Sequence, residues 1–352
     1  MPRTLNTILT TAILMSVPTM SISAEIYVRN SVAGLELGSV TVYPLGADGD
    51  VAPTRTLQGS NAGLSNGNGT ALDLMHGELF VVPSSVGGNA INVYPIEADG
   101  DVSPIRSIFG AATGLSEPRG VAVDPLNDEV IATNSENNSI RVFPRGADGN
   151  PPPIRIIEGP NTTLNFPMGL FVDLENDEIF VAGGPVTRNV LVFERTGNGD
   201  VAPVRVIAGS LTGFSAPQWI FVSLKYDEIY VSDRSTSKIL VFSRTDEGDI
   251  SPSRTISGAT TGILQPQGVV LTLDQELLVS SEGNDSVRVF SRISDGDVGP
   301  TRTISGMATG LENANALATQ SAAEDSVGFA GPLWIFYDGF ESGDTSAWSS
   351  AQ

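Results

Sequence analysis

The chain has 352 residues, 40% of them hydrophobic, and no cysteine. It can bury a large core, while disulfides, thiolate metal sites and a cysteine nucleophile are excluded. Its 40 acidic residues outnumber 19 basic ones, a formal net charge of −21, and such a surface repels phosphate backbones and speaks against a nucleic-acid partner.

The first 24 residues, MPRTLNTILTTAILMSVPTMSISA, place Arg3 before an apolar stretch over 8–17 and end on the small residues Ser21, Ser23 and Ala24. This order predicts a secretory signal over 1–24 with cleavage after Ala24; the plainer readings are a buried first strand or an N-terminal anchor. No later segment is apolar for long enough to span a bilayer as a helix. The expected location is therefore outside the cytoplasm: periplasmic, extracellular or on the cell surface.

From residue 25 onward the sequence repeats. GADGDVAPTRTLQG at 46–59 has relatives at 98–110, 147–159, 197–209, 246–258 and 294–306. Their shared arginines, Arg55, Arg106, Arg155, Arg205, Arg254 and Arg302, are spaced 51, 49, 50, 49 and 48 apart. One period read from Pro167 holds four short runs rich in Val, Ile and Phe: MGLFVDL, DEIFVAG, RNVLVFE and APVRVIAG. Gly, Asn, Asp and Pro separate them, as between strands, and no window keeps a helical period. Four strands in about 50 residues predict a blade of an all-β propeller, six blades in all, with an open solenoid as the alternative.

The ends favour a ring. EIYV at 25–28 fits a second strand, so the first blade lacks its first strand; LENANALATQ at 311–320 fits a first strand with nothing after it. Pairing of 315–320 with 25–29 would close the ring and remove the exposed sheet edges. The propeller is expected over 25–320.

Two stretches, SENNSIRVF at 135–143 and SEGNDSVRVF at 281–290, resemble the NHL repeat, in which an Asn-rich turn leads into such a strand. That resemblance implies the propeller fold across 25–320. It leaves function open, because NHL-like propellers include binding scaffolds, lactonases and lyases.

Several features have plain structural readings. The turns Asp48-Gly49-Asp50, Asp99-Gly100-Asp101, Asp148-Gly149-Asn150 and Asp295-Gly296-Asp297 supply at most two carboxylates each where calcium takes six to eight oxygens, and Asp-Gly favours a tight hairpin, with weak cation binding as the alternative. Glu25, Glu78, Glu129, Glu178, Glu228 and Glu276 open the second strands as the six arginines open the fourth, which predicts one ion pair per blade near a rim. His76, the one histidine, falls in a first-to-second-strand turn on the face away from the usual site.

The candidate ligand face is the channel mouth, where each first strand begins. Alignment of the repeats puts Asn68, Arg119, Met168, Gln218, Gln267 and Asn315 there. Gluconolactonase-like propellers hold a divalent metal at this place through Glu, Asp and Asn; this ring has no carboxylate, which puts metal-dependent hydrolysis in doubt. Amides around one guanidinium suit hydrogen bonding to a polar or anionic group. The plainer reading is a water-filled channel lined by polar side chains. The second-to-third-strand loops at 29–39, 135–139, 183–189, 233–238 and 281–286 vary around this face, and varied loops on a fixed scaffold carry specificity.

No nucleophile motif or phosphate-binding Gly loop is present. After Gln320, SAAEDSVGFAG reads as a linker, and DGFESGDTSAWS resembles a short segment at the C-terminus of bacterial exported proteins. It is read as a sorting or secretion tail over 321–352, the alternative being an apolar strand docked on the propeller. The expected function is an exported, non-catalytic binding scaffold without cofactor or metal, whose partner is a polar or anionic small molecule, a glycan or a protein. A lactonase- or lyase-like enzyme and a structural surface or adhesion component are the alternatives.

Overall fold

Val, Ile, Phe and Tyr crowd the four short runs of each period, and their branched or aromatic side chains fit a pleated surface buried on both sides. In the computed structural model, which describes residues 24–31, 38–65, 67–83 and 89–320, these runs form six four-stranded antiparallel sheets. The expected signal, most of the first variable loop and the tail lie outside the described residues. Among the described residues no helix is long and apolar enough to cross a membrane.

Blade 2 illustrates the plan, with Gly67–Asp73 innermost, then Glu78–Pro83, Ala90–Pro95 and, outermost, Arg106–Phe109. Blade 1 takes its innermost strand from the far end of the chain. Ala314–Thr319 pairs with Glu25–Ser31, in the register Ile26 to Thr319, Tyr27 to Ala318 and Val28 to Leu317. The ring is closed. Its core lies between the blades, as where Phe80, Val82 and Ile91 of blade 2 meet Val121, Val130 and Phe143 of blade 3.

The sixfold stretch joins each blade to the one before it. The Gly100 amide of blade 2 donates to the Thr56 carbonyl of blade 1 at 2.9 Å, and the Gln58 amide donates back to the Gly100 carbonyl at 3.1 Å. Asp99 accepts from the Thr56 amide at 2.9 Å; Asp101 accepts from the amides of Asn61 and Ala62 at 2.7 and 3.0 Å. The same parallel bridge recurs at all six seams, including Gly49 to Ile304 where the ring closes. The glycine that ends the outer strand is part of the fit. Gly59 has φ 130°, and a Cβ there would sit 2.2 Å from the Asp101 carboxyl carbon.

All six Glu–Arg pairs form. Arg55–Glu25, Arg106–Glu78 and Arg254–Glu228 are 2.8, 2.7 and 2.9 Å apart; Arg155–Glu129, Arg205–Glu178 and Arg302–Glu276 are closer still. Their exposure differs: the Glu78 side chain is 8% exposed and that of Glu276 31%. Some are shared with the following blade: Arg145 reaches Glu78 at 2.8 Å, Arg244 reaches Glu178 at 3.2 Å and Arg292 reaches Glu228 at 3.0 Å.

His76 is a turn residue. Its amide donates to Asp73 Oδ1 at 3.1 Å and its Nδ1 lies 2.7 Å from Asp73 Oδ2. Asn127 and Asn176 make the same contacts to Asp124 and Asp173 in the next two blades.

Candidate functional site

Six innermost strands surround the central channel and start at one face. Near that end adjacent strands approach closely, and small residues permit it. A Cβ on Gly69 would lie 2.6 Å from the Arg119 carbonyl oxygen, and one on Gly268 would lie 2.6 Å from the Leu317 amide nitrogen. Hydroxyls on second strands tie this region together. Thr133 Oγ1 accepts from the Gly120 amide at 2.7 Å and donates to the Met168 carbonyl of blade 4 at 2.5 Å. Ser232 links the Trp219 amide to the Gln267 carbonyl, and Ser280 links the Gly268 amide to the Asn315 carbonyl. With the Gln218 carbonyl, which accepts from the Gly169 amide of blade 4 at 2.8 Å, four of the six aligned positions have their backbone held by a neighbouring blade.

The equivalent second-strand position in blade 1 is Arg29, which is fully buried. Its guanidinium donates to the carbonyls of Asn30 and Ser39 at 2.7 and 2.9 Å and, more closely, to that of Ser65 in blade 2. Burial lowers its pKa to about 10, because removing a cation from water disfavours the charged form.

Two of the aligned side chains meet. Arg119 Nη1 of blade 3 donates to Asn68 Oδ1 of blade 2 at 3.2 Å, and Asn68 Nδ2 donates to the Pro118 carbonyl at 3.0 Å. The Arg119 guanidinium also lies 5.4 Å from the centroid of Phe166 in blade 4. The others have separate partners. Gln267 Nε2 donates to Glu282 at 2.6 Å, and Asn315 Nδ2 donates to Ser31 Oγ at 2.6 Å. Met168 and Gln218 are buried, at 8% and 6% exposure, so these two present little surface to a ligand.

Loop carboxylates reach the mouth although the ring itself has none. Glu117 accepts from Arg119 Nη2 at 3.4 Å, and Glu282 accepts from Arg234 Nε at 2.9 Å as well as from Gln267. Arg234, Glu117 and Glu282 went unassigned in the aligned ring because they stand outside the repeated strand positions. Asp233 is fully buried and holds loop backbone: it accepts from the amides of Ser215, Ala216 and Thr236 at 2.6, 2.8 and 3.1 Å, and from the Thr236 hydroxyl at 2.7 Å. Glu136 accepts from the Ser116 hydroxyl. Among the described residues no three His, Asp or Glu side chains converge as metal ligands.

The Asn-rich turn gains a physical role here. Asn138 Oδ1 accepts from the Phe166 amide at 2.8 Å, and Asp285 Oδ1 accepts from the Asn313 amide at 2.6 Å. Phe166 and Asn313 have φ of 56° and 44°, in the left-handed region. Each turn therefore fixes the sharp bend by which the next blade's innermost strand enters the channel.

Below the mouth the channel departs from a polar-lined pore. It holds a cavity of about 150 Å³, with Phe171, Trp219 and Phe221 on one side and Ala71, Ala122 and Ala318 on the strands of blades 2, 3 and 1. Phe171 and Phe221 meet edge to face at 5.3 Å.

Residues 115–143, most of blade 3, match the sequence model of the NHL repeat. No curated protein is a significant match to the chain. In fold it is similar to a crystal structure of a nidogen/laminin complex (TM-score 0.60, 12% identity, 84% of this chain and 98% of that one). It is equally similar to a periplasmic gluconolactonase of Pseudomonas aeruginosa (TM-score 0.60, 15% identity, 85% and 99%). The WD40 propeller domain of Doa1 matches less well (TM-score 0.52, 12% identity, 81% and 86%). Identities this low bear on the fold alone, and the chain is a closed six-bladed β-propeller that carries an NHL repeat in its third blade.

Proposed function

We propose that the chain is an exported, non-catalytic binding scaffold that takes a polar or anionic group, from a small molecule, a glycan or a protein, at its channel mouth. The observation that carries this reading is the Arg119–Asn68 contact between blades 2 and 3. It holds a guanidinium at the mouth through two long hydrogen bonds, 3.2 Å to Asn68 and 3.4 Å to Glu117, so further N–H groups remain for an incoming acceptor. Of the carboxylates nearby, Glu282 accepts from Arg234 and Gln267, Asp233 from backbone amides and Glu136 from Ser116, while Glu117 accepts from Arg119 at 3.4 Å. Fold does not choose between binding and hydrolysis, since propellers of both kinds share it.

The test is calorimetric titration of the protein with glucuronate and other acidic sugars, beside a lactone-hydrolysis assay. Arg119→Ala should weaken the anionic ligand by about 1.5–3 kcal/mol, the value of a charge-assisted hydrogen bond. Lactone turnover that is lost in Glu136→Gln or Glu282→Gln would replace this reading with the enzymatic one. Export is tested separately: the protein recovered outside the cytoplasm should begin at Glu25.

A further inference from the structure

Arg119 and the channel cavity lie on the same strand. Ala122, which lines the cavity, follows Arg119 by three residues, with an irregularity in the strand register between Pro118 and Val121. Asn68 stands in the same relation to Ala71, and Gln267 to Val270, across the same irregularity. A ligand held at the mouth is thus one short linker away from apolar space.

That space has a definite character. Phe171, Trp219 and Phe221 form an aromatic wall, and Ala71, Ala122 and Ala318 leave room on the strands of the other blades. Its volume of about 150 Å³ is large enough for one benzene ring, and it opens to the channel. The innermost strands stand at the end of every sheet, so their free backbone edges face the channel. A flat ring can lie against the aromatic wall while a charged end stays at the wet mouth.

We propose that mouth and cavity form one site for a small aromatic carboxylate, the ring inserted among Phe171, Trp219 and Ala122 and the carboxylate held by Arg119. This rests on the mouth reading above and narrows its ligand class. Hydrocinnamate, with a flexible two-methylene link between ring and carboxylate, is the probe.

Trp219 makes the test direct. Three tryptophans occur in the chain, and full-length protein carrying Trp334→Phe and Trp348→Phe reports from Trp219 alone. Hydrocinnamate should change its fluorescence saturably, whereas propionate, which has the charge without the ring, should not. Ala122→Leu fills the cavity and should weaken hydrocinnamate at least about tenfold. If that variant misfolds, Ala71→Val, on the neighbouring strand, serves the same purpose. Arg119→Gln should weaken hydrocinnamate about tenfold or more and leave the neutral hydrocinnamyl alcohol unchanged.

The outcomes separate the two readings. If glucuronate binds with its affinity dependent on Arg119 while hydrocinnamate leaves Trp219 unmoved, the channel inference fails and the mouth reading stands. If hydrocinnamate binds but neither cavity variant weakens it, the ring does not enter the channel and the inference also fails. If no anion binds at all, both fail.

Discussion

Glu78 shows how much a single repeated residue does. It accepts two hydrogen bonds from Arg106 of its own blade and one from Arg145 of the next, at 2.7, 2.8 and 2.8 Å. Burial works to raise its pKa, but the hydrogen bonds and charges of the two arginines outweigh burial and hold the carboxyl below its usual range. Glu228 is held low in the same contest, between burial on one side and Arg254, Tyr230 and Arg292 on the other. A carboxyl whose folded pKa lies below its unfolded value of about 4.3 adds stability that is fully present above that value. That stability is lost as pH falls through the folded pKa. Glu78→Gln should therefore be less stable than the parent at neutral pH, and the difference should shrink in acid. Urea unfolding followed from about pH 7 to pH 3 measures it; a constant difference across that range would show that the ionised carboxylate is not what Glu78 contributes.

At the level of the element, the Asp-Gly turn and outer strand act together across the seam between blades. The Asp101 carboxylate fills the space where Gly59 would otherwise carry a side chain, and Gly306 has the same relation to Asp50, 2.3 Å from a would-be Cβ to the carboxyl carbon. Gly59→Ala must both strain a backbone at φ 130° and displace the latch, and it should cost about 2–4 kcal/mol by thermal or urea unfolding. An unchanged unfolding midpoint would mean that the latch adds nothing to the seam. This pairing was not legible in the sequence. The turn was explained locally, by hairpin preference, while its partner strand lies 43 residues earlier for Thr56 and Asp99. The Glu and Arg positions were legible because both recur at strand starts in every period, and periodicity reports strand ends well. Their burial and the shared second arginine were not, since depth in a ring depends on neighbouring blades.

At the scale of the whole molecule, the closed ring turns one repeated sheet into a scaffold with a distinct face. Closure was readable from a missing strand at one end and a spare strand at the other, and the register of Ile26 with Thr319 bears it out. The face was readable only in part. Alignment brought Asn68 and Arg119 to adjacent blades, but it treated Met168 and Gln218 as equals of the others, although both are buried. Arg234 and Glu282 lie in second-to-third-strand loops that the repeat placed around this face without singling them out as ligand contacts, and Glu117, Phe171 and Trp219 were not assigned. Symmetry set the scaffold, and the departures from symmetry carry the candidate chemistry.

Side-chain amide signals give the most direct test of binding at that face. Nuclear magnetic resonance spectra of the isotopically labelled full chain, recorded with increasing glucuronate or hydrocinnamate, would follow the side-chain amides of Asn68, Gln267 and Asn315 and the guanidinium of Arg119. The expected result is saturable movement of Asn68 and Arg119 together, with the opposite face, marked by His76, unmoved. Shifts centred on His76, or spread evenly around the rim with Arg119 unchanged, would contradict a binding site at the channel mouth.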